Sequence, residues 1–240
     1  MRRDFVANVS HEIRTPLTVL SGFVETLQTI PLDESERKKY LDLMAVQASR
    51  MQSLVADLLT LSQLEGSLPP GMSERVSVKE LMTQVASDAL ALSAVLGGHD
   101  AEQNEVVHDI VFDPAPAWVI LGGRSELFSA MSNLVSNAVR YTPAGGSISV
   151  SVDPGADGSL CIDVRDTGAG IAAEHLPRLT ERFYRVDRSR SRESGGTGLG
   201  LAIVKHVMQR HGGSLSITSE LGHGSCFRLT FPANRWHINH

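Results

Sequence analysis

The fold is indicated first by residues 6–27, which read VANVSHEIRTPLTVLSGFVETL. Apolar side chains recur in this stretch at alternating steps of three and four, at Val6, Val9, Ile13, Pro16, Leu20, Phe23 and Leu27. That repeat is typical of a helix whose apolar seam faces another helix. The stretch therefore predicts a long helix that needs a helical partner.

The next element supplies that partner. Asp33 followed by Glu36 resembles a capping box, which marks the start of a helix. Beyond it the same alternation returns, at Leu41, Met44, Ala48, Met51, Val55 and Leu58. A lone antiparallel hairpin has a wide apolar face with only one neighbour to cover it, so two hairpins forming a four-helix bundle is the economical arrangement. We therefore predict a homodimer.

A second domain is expected after a linker. Residues 66–73 contain two prolines and two glycines, which cannot continue a helix. We divide the chain into the hairpin 1–65, the linker 66–73, a second domain 74–232 and a tail 233–240. Helical patterns in the second domain cover 79–92, 125–141 and 199–211. Alternating strand patterns cover 106–112, 118–121, 147–153, 159–165, 214–219 and 225–231. Residues 93–104 are predicted to be a loop, and the whole indicates a mixed sheet with helices in an α/β sandwich.

Composition excludes several classes of protein. The chain has 240 residues, of which 42% are hydrophobic and 20% charged, so it can bury an ordinary core. Its net charge of −5 would repel nucleic acid, and we expect no nucleic-acid partner. No apolar run is long enough to span a bilayer, which predicts a soluble piece. Cys161 and Cys226 are far apart and are expected to be plain strand residues.

His11 is predicted to be exposed. It lies two residues from both Val9 and Ile13, so at about 100° per residue it points away from the seam. Pro16 removes the backbone hydrogen bond to the carbonyl of Glu12, which predicts a kink beside the histidine. Taken alone, an exposed histidine near a proline is more often an accident of the surface.

The helical pattern of residues 125–141 has a second, polar face. Asn133, Asn137 and Arg140 share it, although asparagine is a poor residue for a helix interior. Such a broken local rule is expected where a site is built. Carboxamide oxygens suit Mg²⁺, which takes a few protein oxygens together with water and phosphate oxygens. A solvated polar face explains the same residues equally well.

Two glycine-containing stretches follow. In Asp166-Thr-Gly-Ala-Gly-Ile171 a carboxylate after a strand can accept a hydrogen bond from an exocyclic amine, and the glycines permit a close approach to a ring. A plain turn explains this stretch at least as well. Residues 195–201, GGTGLGL, open an apolar helix and place backbone donors where phosphates bind.

The second glycine stretch fits neither common nucleotide motif. A dinucleotide fold needs an apolar strand before the glycines, but residues 187–194 are DRSRSRES. A P-loop needs a lysine and a hydroxyl residue after its last glycine, and residues 199–201 have neither. A phosphate-binding backbone beside a flexible basic lid remains. That lid gives a role to a cluster of arginines, at Arg178, Arg182, Arg185, Arg188, Arg190 and Arg192.

Four stretches resemble, in this order, the H, N, G1 and G2 boxes of sensor histidine kinases. They are the residues around His11, the polar face of the helix 125–141, residues 166–171 and residues 195–201. Phe183-Tyr-Arg185 resembles the F box. Residues 5–12 and 183–204 further resemble the phosphate-regulon sensor kinases of bacteria. The resemblance covers nearly the whole chain. It implies a hairpin that forms a dimeric four-helix bundle, followed by a Bergerat-type α/β sandwich that binds ATP.

The resemblance also implies a role for each box. His11 would be the phosphoacceptor and Glu12 the adjacent base, while Asn133 and Asn137 would hold Mg²⁺ on the phosphates of ATP. Arg140 and Tyr141 would flank the nucleotide, and Arg185 would lie near the phosphates. Asp166 would contact the adenine together with Gly168, Gly170 and Ile171. The lid would contain Gly196, Thr197, Gly198, Leu199 and Gly200. The implied partner is the receiver domain of a response regulator. The implied location is the cytoplasm, with a membrane anchor only in an upstream segment.

Thr15 has two interpretations. In the kinases that the sequence resembles, this position helps water to attack the phosphoaspartate of the partner, which would make the enzyme a phosphatase as well. Otherwise its hydroxyl bonds back to the carbonyl of His11. Two other classes remain open: a non-catalytic module that binds a response regulator without using ATP, and an ATPase like those of chaperones or topoisomerases. The intact Asn137, Asp166 and Gly198 disfavour the first class, and the histidine-bearing hairpin disfavours the second.

Overall fold

The computed structural model describes residues 2–99, 105–114, 117–186 and 196–238, and shows a helical hairpin followed by an α/β domain. The helices are α1 Arg2–Thr29, α2 Glu34–Gly66, α3 Val78–Leu96, α4 Arg124–Tyr141 and α5 Gly200–Arg210. The strands are β1 Arg75–Ser77, β2 Gly98–His99, β3 Glu105–Val106, β4 Asp109–Phe112, β5 Trp118–Leu121, β6 Ser147–Pro154, β7 Leu160–Asp166, β8 Ser214–Glu220, β9 Gly224–Phe231 and β10 Trp236–Ile238. Short 3-10 helices lie at Leu176–Arg178 and Ala233–Arg235.

The hairpin is antiparallel, as predicted. Phe23 of α1 packs on Tyr40 of α2 with ring centroids 5.5 Å apart, while Glu12, nearer the start of α1, contacts Arg50, further along α2. The capping box at the start of α2 is confirmed. The amide of Glu36 donates to Asp33 Oδ1 at 2.8 Å, and the amide of Asp33 donates to Glu36 Oε2 at 3.1 Å.

The hairpin leaves much of its apolar surface exposed. Three α2 leucines, Leu54, Leu61 and Leu64, are buried, and they join the same hydrophobic core as the α/β domain. Many other apolar side chains of the hairpin are exposed, namely Leu17, Val19, Val24, Leu41, Leu43, Val46, Val55 and Leu59. An apolar face of this extent is typical of a surface that meets another protein.

The α/β domain is built on a five-stranded mixed sheet in the order β4-β6-β7-β9-β8. β4 and β6 are parallel and the other pairs are antiparallel. Alternate residues of the central strands are buried, as in Ile148, Val150 and Val152 of β6, and they share one hydrophobic core with residues of α3, α4 and α5. The α/β sandwich is therefore confirmed. Cys161 and Cys226 are free and lie on β7 and β9, as predicted.

Of the stretch predicted as a loop, residues 93–104, residues 100–104 lie outside the described residues, and residues 93–99 are partly regular. Helix α3 continues to Leu96, and Gly98–His99 forms the short strand β2, so the loop prediction was wrong for these residues. Buried contacts explain the difference. Ser93 is 1% exposed, and its hydroxyl lies 2.8 Å from Nδ1 of the buried His108, whose Nε2 lies 2.9 Å from the carbonyl of Thr142. His108 also interrupts the strand predicted over 106–112, which becomes β3 and β4.

A second, three-stranded sheet was not predicted. β5 lies between β1 and β10, antiparallel to both, and Trp118 packs on Trp236 with ring centroids 5.3 Å apart. Residues 236–238, which the sequence analysis placed in a tail from 233 to 240, thus pair with β5 of the α/β domain. Among the described residues, no helix combines the length and apolar character that crossing a bilayer requires.

Substitution of Leu134 of α4 tests how much the buried core contributes to stability. Leu134 has no exposed surface, so Leu134→Ala removes buried methyl groups and should lower the free energy of unfolding by about 2–5 kcal/mol. The matched control is Leu68→Ala, because Leu68 is 88% exposed, and its effect should stay within about 0.5 kcal/mol. Urea titration followed by circular dichroism measures both. Equal effects of the two changes would contradict the placement of Leu134.

Candidate active site

The phosphoacceptor candidate lies on the outer surface of α1. His11 is exposed, as predicted, and Pro16 is buried inside a helix that continues to Thr29. Thr15 Oγ1 donates to the carbonyl of His11 at 3.1 Å, which is the bond expected if the hydroxyl has only a structural role. The hydroxyl oxygen keeps lone pairs that can accept a hydrogen bond from water.

Glu12, beside His11, has a partner across the hairpin. Nη2 of Arg50 donates to Glu12 Oε2 at 3.2 Å. The Arg50 side chain is 11% exposed and that of Glu12 is 27% exposed. The sequence analysis did not find Arg50, because it shows neither an apolar repeat nor a motif spacing. Arg50 is thus placed beside the H box by the packing of α1 on α2.

The polar face of α4 meets the start of α5. Nδ2 of Asn133 donates to the carbonyl of Ser129 at 2.8 Å, so its Oδ1 points away from the helix backbone. A β-carbon added to Gly200 would lie 2.4 Å from that Oδ1. Asn137 lies one turn further along α4 and is also half-buried. The carboxamide oxygen of Asn133 and the first residue of α5 therefore face each other, as expected if both serve the phosphates of one nucleotide.

The G1 stretch lies at the end of β7, against α4. Asp166 Oδ1 accepts from the amide of Gly168 at 2.9 Å. Burial raises the pKa of the Asp166 carboxyl, although hydrogen bonds from the backbone of Gly168 and Ser225 act in the opposite direction. A β-carbon on Gly168 would lie 2.5 Å from the carbonyl oxygen of Tyr141, the last residue of α4. The N and G1 boxes therefore touch.

Gly170 needs to be glycine for two reasons. Its φ of +67° lies in the left-handed region, and a β-carbon there would lie 1.9 Å from the carbonyl oxygen of Glu220. The next residue, Ile171, donates its amide to Ser219 Oγ at 2.8 Å. The G1 loop is thus held against the turn between β8 and β9.

The F and G2 boxes pack backbone against backbone. The amide of Phe183 donates to the carbonyl of Gly198 at 2.8 Å. Phe183 has a φ of +63°, a strained conformation for a residue with a β-carbon, and Gly198 has a φ of +74°. A β-carbon on Gly198 would lie 3.4 Å from Cγ of Arg185, and one on Gly196 would lie 3.5 Å from the Tyr141 hydroxyl.

The structure therefore brings the N, G1, F and G2 residues together at one edge of the domain, and it places the H-box residues on the hairpin. Arg188, Arg190 and Arg192 of the predicted lid, with Gly195, lie outside the described residues. In the described part of the chain, no group of three His, Cys, Asp or Glu side chains could hold a metal ion. Metal binding at this edge would therefore rest on carboxamide and phosphate oxygens.

A contact between the hairpin and the G2 loop was also missed from the sequence. Oγ1 of Thr197 donates to Asp57 Oδ2 at 2.6 Å and accepts from the amide of Leu199 at 3.2 Å. Burial raises the pKa of the Asp57 carboxyl, and the bond from Thr197 lowers it by less. Nothing in the pattern of α2 distinguishes Asp57 from its other acidic residues, so only the structure reveals the contact.

Two further contacts fix the end of α2 on the α/β domain. Arg182 forms a close ion pair with Glu65, and Nε2 of His206 lies 3.6 Å from the same carboxylate. Arg210 of α5 pairs with Glu126 of α4, with Nη2 2.8 Å from Oε1. Its guanidinium also donates to the carbonyls of Leu64, Ser67 and Leu68 at 2.7, 2.8 and 2.7 Å.

Two family models match the chain. Residues 1–67 match the His Kinase A (phospho-acceptor) domain. Residues 122–235 match the histidine kinase-, DNA gyrase B-, and HSP90-like ATPase. The two matches contain the hairpin with His11 and the domain with the four nucleotide boxes, respectively.

Known proteins resemble the chain over nearly all of its length. The phosphate regulon sensor protein PhoR of Pseudomonas aeruginosa is 50% identical over 232 residues, which are 96% of this chain and 50% of that protein. The chain spans about half the length of the curated relatives it matches. Full-length ShkA, solved in complex with AMPPNP, is 29% identical with a TM-score of 0.63, over 95% of this chain and 45% of that one. The histidine kinase ThkA, solved in complex with the response regulator protein TrrA, shares the fold with a TM-score of 0.68 and 20% identity, over 96% of this chain and 61% of that one.

Asp57 generates a prediction about pH. Its folded-state pKa is raised, so the native state binds its proton more tightly than the unfolded chain, and this residue lowers stability as pH rises from about 4 through that raised pKa. Asp57→Asn keeps an acceptor for Thr197 and removes the charge. The variant should melt at a higher temperature than the parent at pH 7, and the difference should disappear below pH of about 4.

Differential scanning calorimetry at pH 7 and at a pH of about 3 measures this difference. Asp42→Asn is the matched control, since Asp42 is an exposed carboxylate on the same helix. A variant that is less stable than the parent at pH 7 would show that the ionised Asp57 is favourable where it lies.

Proposed function

The chain belongs to the sensor histidine kinases, and on this premise we propose that it uses ATP to phosphorylate His11 and then passes the phosphoryl group to an aspartate of a response regulator. One observation carries the proposal. An exposed histidine on a helical hairpin is joined in one chain to four nucleotide boxes that converge at a single edge of an α/β sandwich. Neither part alone would support a phosphoryl relay.

The phosphoryl transfer follows from ordinary histidine chemistry. A neutral imidazole carries a lone pair on one ring nitrogen, which can attack the γ-phosphorus in line. The bond from that phosphorus to the ADP oxygen breaks, and a phosphorus–nitrogen bond forms. Glu12 accepts a hydrogen bond from the other ring nitrogen and stabilises the charge that develops there. The new bond is labile, which suits transfer to a carboxylate.

The α/β domain holds the nucleotide in this proposal. Asp166 accepts from the exocyclic amine of adenine, with Gly168, Gly170 and Ile171 around it. Arg140 and Tyr141 flank the nucleotide, Arg185 approaches the phosphates, and the phosphates lie along residues 196–200. Mg²⁺ on Asn133 and Asn137 would neutralise phosphate charge, and catalysis would be mainly positioning and electrostatics. The AMPPNP bound by ShkA supports a nucleotide at such a domain.

The partners in the proposal are a second copy of the chain and a receiver domain. The exposed apolar face of the hairpin supports a four-helix bundle of two chains, and the complex of ThkA with TrrA supports the receiver domain. We place this core in the cytoplasm, and its membrane anchor in an upstream segment. For the domains we keep the hairpin 1–65 and the linker 66–73, and we extend the ATP-binding domain from 74 to 238.

Labelling with radioactive ATP tests the central assignment. His11→Gln should abolish acid-labile, base-stable label on the protein and leave ATP affinity nearly unchanged, because His11 and the nucleotide boxes lie on different parts of the chain. Asp166→Asn should weaken ATP binding, since a carboxamide presents a donor as well as an acceptor to the amine. The exposed His223 provides the control His223→Gln. Normal labelling of the His11 variant would refute the proposal.

An aspartate introduced on the apolar face of the hairpin tests the proposed dimer. Val55 is 46% exposed on the apolar face of the hairpin, and burying an unpaired aspartate there costs several kcal/mol, so Val55→Asp should separate the two chains. Ser53→Asp adds the same charge on the other side of α2 and should leave the dimer intact. Analytical ultracentrifugation distinguishes monomer from dimer. A dimeric Val55 variant would place the interface elsewhere.

Thr15 tests the proposed phosphatase activity. Thr15→Ala should keep phosphorylation of His11 and slow the removal of phosphate from the phosphorylated regulator, because the water loses a hydroxyl partner. Thr18→Ala is a close control, since Thr18 Oγ1 donates to the carbonyl of Arg14 at 3.0 Å in the same manner. Hydrolysis of labelled regulator gives the rates. If both variants act as fast as the parent, the Thr15 hydroxyl serves only its bond to His11.

A further inference from the structure

Arg50 of α2 is a nearly buried cation that reaches the residue beside His11. Its Nη2 lies 3.2 Å from Glu12 Oε2, and 11% of its side chain is exposed. Exposed ion pairs contribute little to stability, because water screens them and two long side chains must be ordered. The Arg50 side chain is largely withdrawn from water, so losing Glu12 would leave a poorly solvated charge. The Arg50–Glu12 pair therefore differs from an exposed ion pair, because breaking it would leave a charge that water solvates poorly.

The position of the pair links it to the phosphoacceptor. Glu12 is on α1 next to His11, and Arg50 approaches from the opposite helix of the hairpin. A glutamate has three rotatable side-chain bonds, and fixing them costs conformational entropy. The guanidinium holds one carboxylate oxygen from outside α1. The orientation of Glu12 is thus set by the packing of the two helices.

A carboxylate has two oxygens, and only one is engaged by Arg50. Within the described part of the chain, no hydrogen bond is made to Glu12 Oε1. Because Arg is always protonated in proteins and has no acceptor, Arg50 cannot itself take a proton from the ring. It can hold Oε2 and leave Oε1 to accept the N–H of the His11 ring. We propose that Arg50 is a positioning residue that orients the Glu12 carboxylate toward His11 during phosphorylation, an inference that rests on the function proposed above.

The step remains balanced with Arg50 included. One ring nitrogen of His11 bonds to the γ-phosphorus, and the bond from that phosphorus to ADP breaks. The N–H at the other ring nitrogen donates to Glu12, whose opposite oxygen stays paired with Arg50. Arg50 forms and breaks no covalent bond. Its contribution is geometric, and it passes entirely through Glu12.

This route through Glu12 gives a specific test in the full chain. We would compare the parent with Arg50→Gln, Glu12→Gln and the double variant, and measure the initial rate of acid-labile labelling at saturating ATP, together with KM for ATP. General acid–base groups contribute about 10²–10⁴-fold to rates, so loss of orientation alone should slow Arg50→Gln by about tenfold with KM unchanged. In the Glu12→Gln background, the same change should have almost no further effect.

Two outcomes of these rate and KM measurements would contradict the positioning role of Arg50. If Arg50→Gln slows labelling by the same factor with Glu12 present or absent, Arg50 acts independently and the proposal is wrong. A raised KM for ATP would mean that Arg50 contacts the nucleotide, which also overturns it. Arg37→Gln removes an equal charge from an exposed position of α2 and should leave rate and KM at the values of the parent.

Further measurements separate the proposal from its premises. Sedimentation and circular dichroism report whether Arg50→Gln is folded and dimeric. If it is not, Arg50→Lys replaces it, with the same expectation of a slower rate that vanishes in the Glu12→Gln background. No acid-labile label in the parent would refute the proposed function. A Glu12→Gln variant that labels normally would remove the role of Glu12, and with it that of Arg50. A slow Glu12 variant beside a fast Arg50 variant would refute the positioning role alone.

Discussion

The guanidinium of Arg210 fixes the hairpin to the α/β domain. The last carbonyls of a helix have no partners within it, and those at the end of α2 would need other donors. Arg210 donates to three carbonyls there, while both oxygens of Glu126 balance its charge. Arg210 ends α5 and Glu126 is in the first turn of α4. One nearly buried side chain therefore ties α2 to both helices that carry nucleotide motifs.

This docking sets the relation between the two halves of the site. It brings the G2 loop against α2, where Thr197 meets Asp57. Asp57 is about two turns further along α2 than Arg50, which lies level with Glu12, so the G2 loop contacts the hairpin about 10 Å along its axis from the level of Glu12 and His11. The G2 loop and the level of His11 are thus separated along the hairpin axis, and a movement of the domain along α2 would change that separation.

The sequence predicted those features that local patterns encode. The seam repeat and the capping pair predicted the hairpin, and the alternating runs predicted every strand of the five-stranded sheet. Residue chemistry singled out His11, Asn133 and Asp166 but left a non-functional explanation open for each, and only the resemblance to sensor histidine kinases gave them site roles. The structure exposes the first on the hairpin and brings the other two to one edge of the domain. What remained hidden depends on tertiary packing. The break at His108 follows from a buried bond to Ser93, three-residue strands such as β1 and β10 carry no readable alternation, and partners such as Arg50 and Asp57 have no pattern that marks them.

The three-stranded sheet has a consequence for the nascent chain on the ribosome. β5 lies between β1 and β10, and its second partner is synthesised long after the first. The hairpin makes contacts that are local in sequence and can form early, whereas pairing of β5 with β10 is non-local and slow. Until residues 236–238 emerge, one edge of β5 has unpaired backbone groups, and Trp118 lacks the ring of Trp236. That edge of β5 is therefore open to pairing with another strand until β10 has been synthesised.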